Sequence, residues 1–301
     1  MIWVTAAIAT AAIMGVVAII DSHLLARRFP SLSTFILPVG IIHLVVGLIV
    51  LGIRPFPEGV GTTPIIVAFA SGIVRSVGAL LMLNTMRSQE VSRIIPVVHT
   101  FPIFVAILAV PFLGETLGYL EWLSILITVA GAVLISVQFK GEGGRTRLNK
   151  SFVTLLGCSL LIGIANTAGK YALDHISFWN MYTVNAMCFA FVFLLISARP
   201  RVIKEIRNLN QRGLALGLLF INECIALVGI IMSFWAMQQG PVSLVSTIFS
   251  VRPAYVFIFA LILSQVFPTV LEERLSKSIV IIKVISIGLI IGGVTLLTLR
   301  A

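Results

Sequence analysis

The sequence predicts an all-α integral membrane protein with ten transmembrane helices, built as two five-helix repeats of inverted topology. Three observations support this prediction. Hydrophobic residues make up 59% of the 301 residues and charged residues only 11%, whereas soluble domains carry about 25% charged residues. Ten apolar segments approach or exceed the roughly 20 residues that cross a bilayer core. Features of the first half recur in the second half at an offset of 151 residues.

The ten segments follow one another with short connections. In chain order the predicted spans are 2–20, 33–53, 63–83, 93–113, 118–139, 152–171, 179–198, 213–236, 242–267 and 279–299. The first span begins at Ile2 without a basic n-region or a cleavage site, which favours a membrane span over a signal peptide. The longest connections, residues 140–150 and 199–212, are too short to fold as separate domains.

Span 4 carries three prolines, Pro96, Pro102 and Pro111, within an apolar run. Proline removes a backbone hydrogen bond, which membrane helices tolerate where neighbouring helices or water satisfy the freed carbonyl. We expect Pro96 and Pro102, with Pro253 in span 9, to kink or loosen their helices beside a cavity. Each of these two spans has a semi-polar face, which supports this expectation. The face of span 4 carries Ser92, Pro96 and His99, and the face of span 9 carries Ser243, Thr247 and Ser250.

The internal repeat places several identical residues 151 positions apart. The pairs are Met86 with Met237, Val91 with Val242, Ser92 with Ser243, and Pro102 with Pro253. Each half contains five spans, an odd number, so the second half crosses the membrane in the opposite sense. Inverted repeats of this kind are typical of secondary transporters, with the substrate site near the midplane. The predicted repeats are residues 1–140 and 150–301.

Basic residues are concentrated on one side of the predicted topology. The connections after spans 1, 3, 5, 7 and 9 hold most of the Lys and Arg residues, and the other side has only Arg54, Lys170 and Arg300. Basic loops remain cytoplasmic. We therefore expect both termini to be non-cytoplasmic and the chain to lie in the cytoplasmic membrane. The net charge of +10 is explained by these loops, so no nucleic-acid partner is indicated.

Three charged residues lie towards the middle of predicted spans: Arg75 in span 3, Glu223 in span 8 and Arg252 in span 9. A charge at the centre of a membrane helix costs at least ~2.5–3.5 kcal/mol, so these side chains should face the interior. Glu223 either neutralises one of the arginines or carries a proton. If Glu223 offsets one arginine, the other remains to hold an anionic group of the substrate.

Other polar residues in the spans are candidates for binding or for helix contacts. Asn166 and Ser250 are expected at the substrate site or in helix–helix hydrogen bonds. His43 and His99 could relay protons or bond between helices, and Lys170 near a mouth could extend to the interface. Spans 5 and 10 contain small residues that suggest close helix packing, namely Gly131, Gly288, Gly292 and Gly293. The same two spans could form a homodimer contact.

The sequence resembles the EamA-like branch of the drug/metabolite transporter superfamily. The resemblance rests on VSRIIPVVHTFPIFVAILAVPFLGETL, the following EWLSILITVAGAVLIS, and the weaker second copy around PVSLVSTIFSVRP. It implies a carrier or exporter of amino acids, metabolites or drugs, with a central cavity lined mainly by spans 1, 3, 4, 6, 8 and 9. The chain departs from the family pattern at Met14-Gly15 and Ile162-Gly163, where the family has Trp-Gly. It also has Asp21-Ser22 where a lysine is common.

We therefore predict a secondary transporter that moves a small organic solute, favoured with an anionic group, by alternating access. Proton or counter-solute coupling is possible, and membrane lipid is the other expected partner. No HExxH, GxSxG or P-loop motif is present, so we expect neither an enzyme nor an ATP-driven pump. The three cysteines show no metal spacing, and no cofactor or metal is expected. The alternatives are a lipid-linked sugar flippase and, less favoured, a membrane enzyme.

Overall fold

The computed structural model of the chain describes residues 2–89, 91–136, 150–266 and 277–298. All regular structure in these ranges is helical. The elements are α1 Ile2–His23, a π-helical turn Leu24–Arg28, α2 Leu32–Ile53, α3 Thr62–Met86, α4 Val91–Val98, α5 Phe101–Leu113, α6 Tyr119–Ser136, α7 Lys150–Leu173, α8 Phe178–Ser197, α9 Pro200–Arg207, α10 Arg212–Gln239, α11 Val242–Phe249, α12 Arg252–Val266 and α13 Lys277–Thr298.

The described helices account for all ten predicted spans. Eight segments are long and apolar enough to cross a membrane, with α4–α5 and α11–α12 each forming one of them. Shorter apolar stretches in α6 and α13, Tyr119–Leu134 and Val284–Leu296, occupy the fifth and tenth positions. Large apolar side chains such as Phe112, Phe191 and Leu195 are exposed on the outer surface, where only lipid can cover them favourably. The chain is a multi-pass, all-α membrane protein.

Spans 4 and 9, which the prolines were expected to kink or loosen, are each divided into two helices near the middle. Helix α4 ends at Val98 and α11 ends at Phe249, which are four residues before Pro102 and Pro253. A proline has no N–H for the carbonyl four residues earlier and clashes with it. The two helices that follow each carry the proline as their second residue, where the missing donor costs nothing.

The two broken helices support the internal repeat. Both ends of α11 lie 151 residues after the corresponding ends of α4, and α12 begins 151 residues after α5. The packing is also symmetric. Helix α3 packs on α7, and their counterparts α10 and α1 pack on each other, while α2 packs on α8 and α6 on α13. The predicted boundary between the repeats falls mostly within residues 137–149, outside the described residues.

The connection 199–212 contains a helix that the sequence analysis did not predict. Helix α9 begins with Pro200, whose fixed φ angle suits the first turn of a helix. Arg201 and Glu205 form an ion pair one turn apart, with 3.0 Å between Nε and Oε1. Val202 is buried beneath the helix while Arg201 and Lys204 are exposed. One buried side chain and a charged outer face suit a helix that lies at the membrane surface.

Close packing between α6 and α13 involves two of the four predicted glycines. A Cβ atom at Gly131 would lie 2.7 Å from the carbonyl oxygen of Ser286, and one at Gly293 would overlap the Thr128 hydroxyl. No described atom lies within 4 Å of the position of a Cβ at Gly288 or Gly292. Close packing is therefore wrong for Gly288 and Gly292, which face outward.

Candidate substrate cavity

A cavity of about 230 Å³ lies at the centre of the helices. It is lined by α1, α2, α3, α7, α8 and α10 and by residues at both helix breaks, and by no described residue of α6 or α13. Compared with the lining that the family resemblance implies, α2 and α8 are additions. The polar lining residues are Thr10, Asp21, His43, Arg75, His99, Asn166, Asn185, Glu223, Ser233 and Arg252.

Five of the six predicted binding residues line this cavity: Arg75, His99, Asn166, Glu223 and Arg252. The sixth, Ser250, does not itself line the cavity but is bonded to a residue that does. Its hydroxyl donates a hydrogen bond of 2.8 Å to the carbonyl of His99. Pro96 lies within α4, and the side chain of Ser92, predicted on the same face, is outside the described residues.

The two helix breaks contact each other and satisfy one another's backbone. His99 and Ser250 are equivalent positions of the repeat, and they are joined by the Ser250 hydrogen bond. Pro253 leaves the carbonyl of Phe249 without the N–H donor that a continuous helix would provide. The ring of His99 hydrogen-bonds to the backbone of Phe249. Unpaired backbone groups are costly inside a membrane protein. The prolines are tolerated because each break supplies polar groups to the other.

Arg75 is a half-buried cation without an anionic partner among the described residues. Its guanidinium carbon lies 5.2 Å from the centre of the Phe234 ring, a cation–π contact. Its Nε and Nη2 atoms are buried and make no hydrogen bond within the described part of the chain. These two nitrogens form one edge of the guanidinium, the edge that binds a carboxylate or phosphate through two parallel hydrogen bonds.

Arg252 has a different environment, because it interacts electrostatically with Asp21. The Asp21 carboxylate accepts a hydrogen bond of 2.7 Å from the Asn222 amide. Asp21 is only 9% exposed. Among the described residues no hydrogen bond or ion pair joins Asp21 to Arg252, and Nε of Arg252 is buried without a hydrogen-bond partner. The count of two arginines against Glu223 alone nevertheless omitted Asp21, an acidic residue of the cavity that attracts Arg252.

Glu223 pairs with a histidine, and within the described part of the chain it forms no ion pair with Arg75 or Arg252. The Oε2 atom of Glu223 lies 3.3 Å from Nε2 of His43. Both residues are buried, and the His43 ring stacks on Phe189 with 5.3 Å between centroids. A carboxylate and an imidazole in contact can hold or release a proton between them.

Sequence reasoning missed Asp21 and Asn185 and did not place His43 at the site. Asp21 was noted only as a departure from the family pattern, since the first span was ended at residue 20, whereas α1 continues to His23. Asn185 lies in an apolar run of α8, and neither atom of its amide has a hydrogen-bond partner among the described residues. An acid or amide inside an apolar helix was the available signal.

At one end of the bundle, Glu115 joins the two halves. Its carboxylate accepts hydrogen bonds from the backbone N–H groups of Val242 and Ser243, and from the Ser243 hydroxyl. These groups form the N-terminus of α11, where a negative charge is favourable. At the same end, Lys170 pairs with Asp174 at 3.0 Å and does not extend freely to the interface.

The described residues contain no group of three His, Cys, Asp or Glu side chains placed to hold a metal ion. The cavity instead offers separated hydrogen-bonding and charged groups. Arg75 presents donors for an anion, and Asn166 and Asn185 each have amide atoms without partners in the described part of the chain.

Comparison with known proteins agrees with the fold described above. Over its full length the chain resembles a solved structure titled "Crystal structure of protein", with a TM-score of 0.61, 17% identity and 96% of that chain covered. This likeness concerns the fold alone. No curated protein matches the chain. Residues 1–137 match the EamA-like transporter family, and the predicted family resemblance is thereby confirmed over the first five spans.

Proposed function

We propose that the chain is a secondary transporter that carries a small organic solute with an anionic group across the cytoplasmic membrane by alternating access. The match of residues 1–137 to a transporter family supports transport. The two inverted repeats, proposed as residues 1–140 and 150–301, supply two similar halves that can exchange conformations around one central site. The observation that carries the substrate class is the unpaired edge of Arg75.

The charges of the cavity distinguish its two arginines. Asp21 interacts with Arg252, and Glu223 contacts His43, so Arg75 is left to attract an external anion. A buried cation without a partner is costly, and a carboxylate or phosphate on the solute supplies that partner. The solute's anionic group therefore binds Arg75, and Arg252 has a structural role beside Asp21.

The cavity volume favours a small metabolite. About 230 Å³ is below the roughly 300–1,000 Å³ that is usual for pockets that bind drug-sized ligands. An amino acid or a short carboxylate fits this space, whereas a lipid-linked sugar would require lateral opening between helices. The flippase remains the alternative function, and transport of a lipid-linked sugar by reconstituted protein would support it.

The Arg75→Lys substitution tests the role of the guanidinium edge. Lysine retains the charge but loses the bidentate geometry, so we expect uptake of carboxylates into proteoliposomes to fall ~10–100-fold, as for the loss of one charge-assisted hydrogen bond. Arg54→Lys, at an exposed position outside the cavity, is the matched control. Undiminished carboxylate uptake by the Arg75→Lys variant, with both proteins correctly inserted, contradicts the proposal.

A further inference from the structure

The cavity contains a cluster of three titratable side chains from three different helices. Asp21 on α1 interacts electrostatically with Glu223 on α10, and Glu223 contacts His43 on α2 at 3.3 Å. The second ring nitrogen of His43, Nδ1, is buried and has no hydrogen-bond partner among the described residues. All three side chains line the same cavity, so a bound solute would lie beside them.

The groups around this cluster limit what it can bind. Arg252 on α12 interacts with Asp21, and Tyr182 on α8 interacts with Glu223. His99 at the break of span 4 is engaged with the backbone of Phe249, and Arg75 on α3 is held against Phe234. The ionisable groups that share the cavity with the His43–Glu223 pair are therefore Asp21, His99, Arg75 and Arg252, with Tyr182 beside it.

The formal charges of the cavity sum to zero in the state in which Asp21 and Glu223 are both ionised and both histidines are neutral. Asp21 and Glu223 contribute two negative charges, and Arg75 and Arg252 contribute two positive charges. A monovalent anion bound at Arg75 changes this sum to one negative charge. A net charge in a low-dielectric cavity is unfavourable. One proton gained at the same time restores neutrality.

We propose that the His43–Glu223 pair binds one proton together with the anionic solute, so that transport is an electroneutral proton–anion symport. The proposal rests on the function proposed above and adds the coupling ion and its site. The proton enters the pair from the water on one side, is shared between the imidazole and the carboxylate, and leaves to the water on the other side. The solute leaves with it, and no covalent bond is formed or broken.

The charge balance predicts a pH dependence of anion binding. The anion adds negative charge beside the pair and so increases its affinity for a proton. By reciprocity, a bound proton increases the affinity for the anion. Anion affinity is then highest at low pH and falls by up to tenfold per pH unit as the pair loses its proton. The Glu223→Gln substitution removes one negative charge, so the anion alone restores neutrality. The affinity of this variant for the anion should then be independent of pH.

The experiment measures proton uptake and anion binding in purified protein. The probe is whichever of acetate, lactate, pyruvate and benzoate gives the largest Arg75-dependent increase in melting temperature. In weakly buffered detergent solution, we expect about one proton to be taken up per probe anion bound by the unchanged protein. We expect none to be taken up by Glu223→Gln. Glu58→Gln, at an exposed position, is the matched control and should behave as the unchanged protein.

Histidine NMR of the unchanged protein keeps the test independent of whether Glu223→Gln folds. The imidazole signals of His43 should shift on addition of the probe, and those of the exposed His175 should not. Anion binding without proton uptake, or with pH-independent affinity in the unchanged protein, overturns the coupling proposal and leaves the transport proposal intact. Binding of none of the four carboxylates overturns the choice of substrate class and the coupling proposal that depends on it.

Discussion

At the scale of single residues, the site is defined by how its charges are partitioned among partners. Sequence alone identified Arg75, Glu223 and Arg252, because a charge within an apolar span is conspicuous. It could not identify their partners, because Asp21 lies at the end of the first span and is separated from Arg252 by more than two hundred positions. Contacts between distant helices depend on packing, which periodicity does not specify.

The interaction between Asp21 and Arg252 should be measurable as a coupling energy. Neutralising one partner leaves a buried charge without compensation, so Asp21→Asn and Arg252→Gln should each lower the stability of the detergent-solubilised protein. The double variant should recover part of the loss, with a coupling of ~0.5–3 kcal/mol. Thermal unfolding of the four proteins provides the measurement. If the two losses simply add, the two side chains do not stabilise each other in the membrane.

Removal of the charge of Glu115 provides a test of the contact between the two halves. Its carboxylate accepts hydrogen bonds at the N-terminus of α11, where capping contributes ~0.5–2 kcal/mol. We expect Glu115→Ala to lower stability by about that amount, as measured by thermal unfolding. Glu58→Ala, at an exposed position, is the control and should change it little. Equal melting temperatures for the two variants would contradict this role.

At the scale of helices, sequence predicted the number and position of the spans and a kink or loosening at the prolines of spans 4 and 9. It did not predict that a helix ends in each of these two spans. The hydropathy of spans 4 and 9 is continuous, so apolar content alone favours one long helix in each. Proline usually kinks a membrane helix without ending it. Here α4 and α11 end because the His99 ring and the Ser250 hydroxyl offer the backbone an alternative set of hydrogen bonds. Such tertiary contacts cannot be deduced from a single sequence.

The packing of α6 on α13 gives a prediction with an internal control. A methyl group at Gly131 would meet the Ser286 carbonyl at 2.7 Å, and one at Gly293 would meet the Ser124 carbonyl at 2.9 Å. Both distances require the helices to separate, so Gly131→Ala and Gly293→Ala should each destabilise the protein by ~1–3 kcal/mol. Gly288→Ala on the open face of α13 should be neutral or slightly stabilising, because alanine favours helix. Melting temperatures in detergent distinguish these outcomes.

At the scale of the whole molecule, the two ends of the bundle differ in charge. Residues from the connections after spans 1, 3 and 7 meet at one end, where Arg27, Arg28, Arg87, Arg201 and Lys204 surround a recess with Glu205. Hydrogen bonds join these connections, from Arg28 to the side chain of Gln211 and from Arg87 to the carbonyl of Pro30. The sequence-based grouping of these loops on one side is consistent with this arrangement. The basic side chains within positions 137–149 and 267–276 fall outside the part of the chain that the structure describes.

The charged end should face the cytoplasm, because positively charged loops are retained on that side during insertion. Asn210 lies in the recess and is exposed, whereas Gly59 lies exposed in a connection at the opposite end. In intact cells, a cysteine at Asn210 should therefore resist a membrane-impermeant thiol reagent, and a cysteine at Gly59 should react. After the membrane is permeabilised, both should react.

The unchanged protein controls for the native thiols, of which Cys158 and Cys188 are buried and Cys224 is exposed in the apolar helix α10. Labelling of Asn210→Cys but not Gly59→Cys in intact cells would reverse the proposed orientation and place both termini in the cytoplasm.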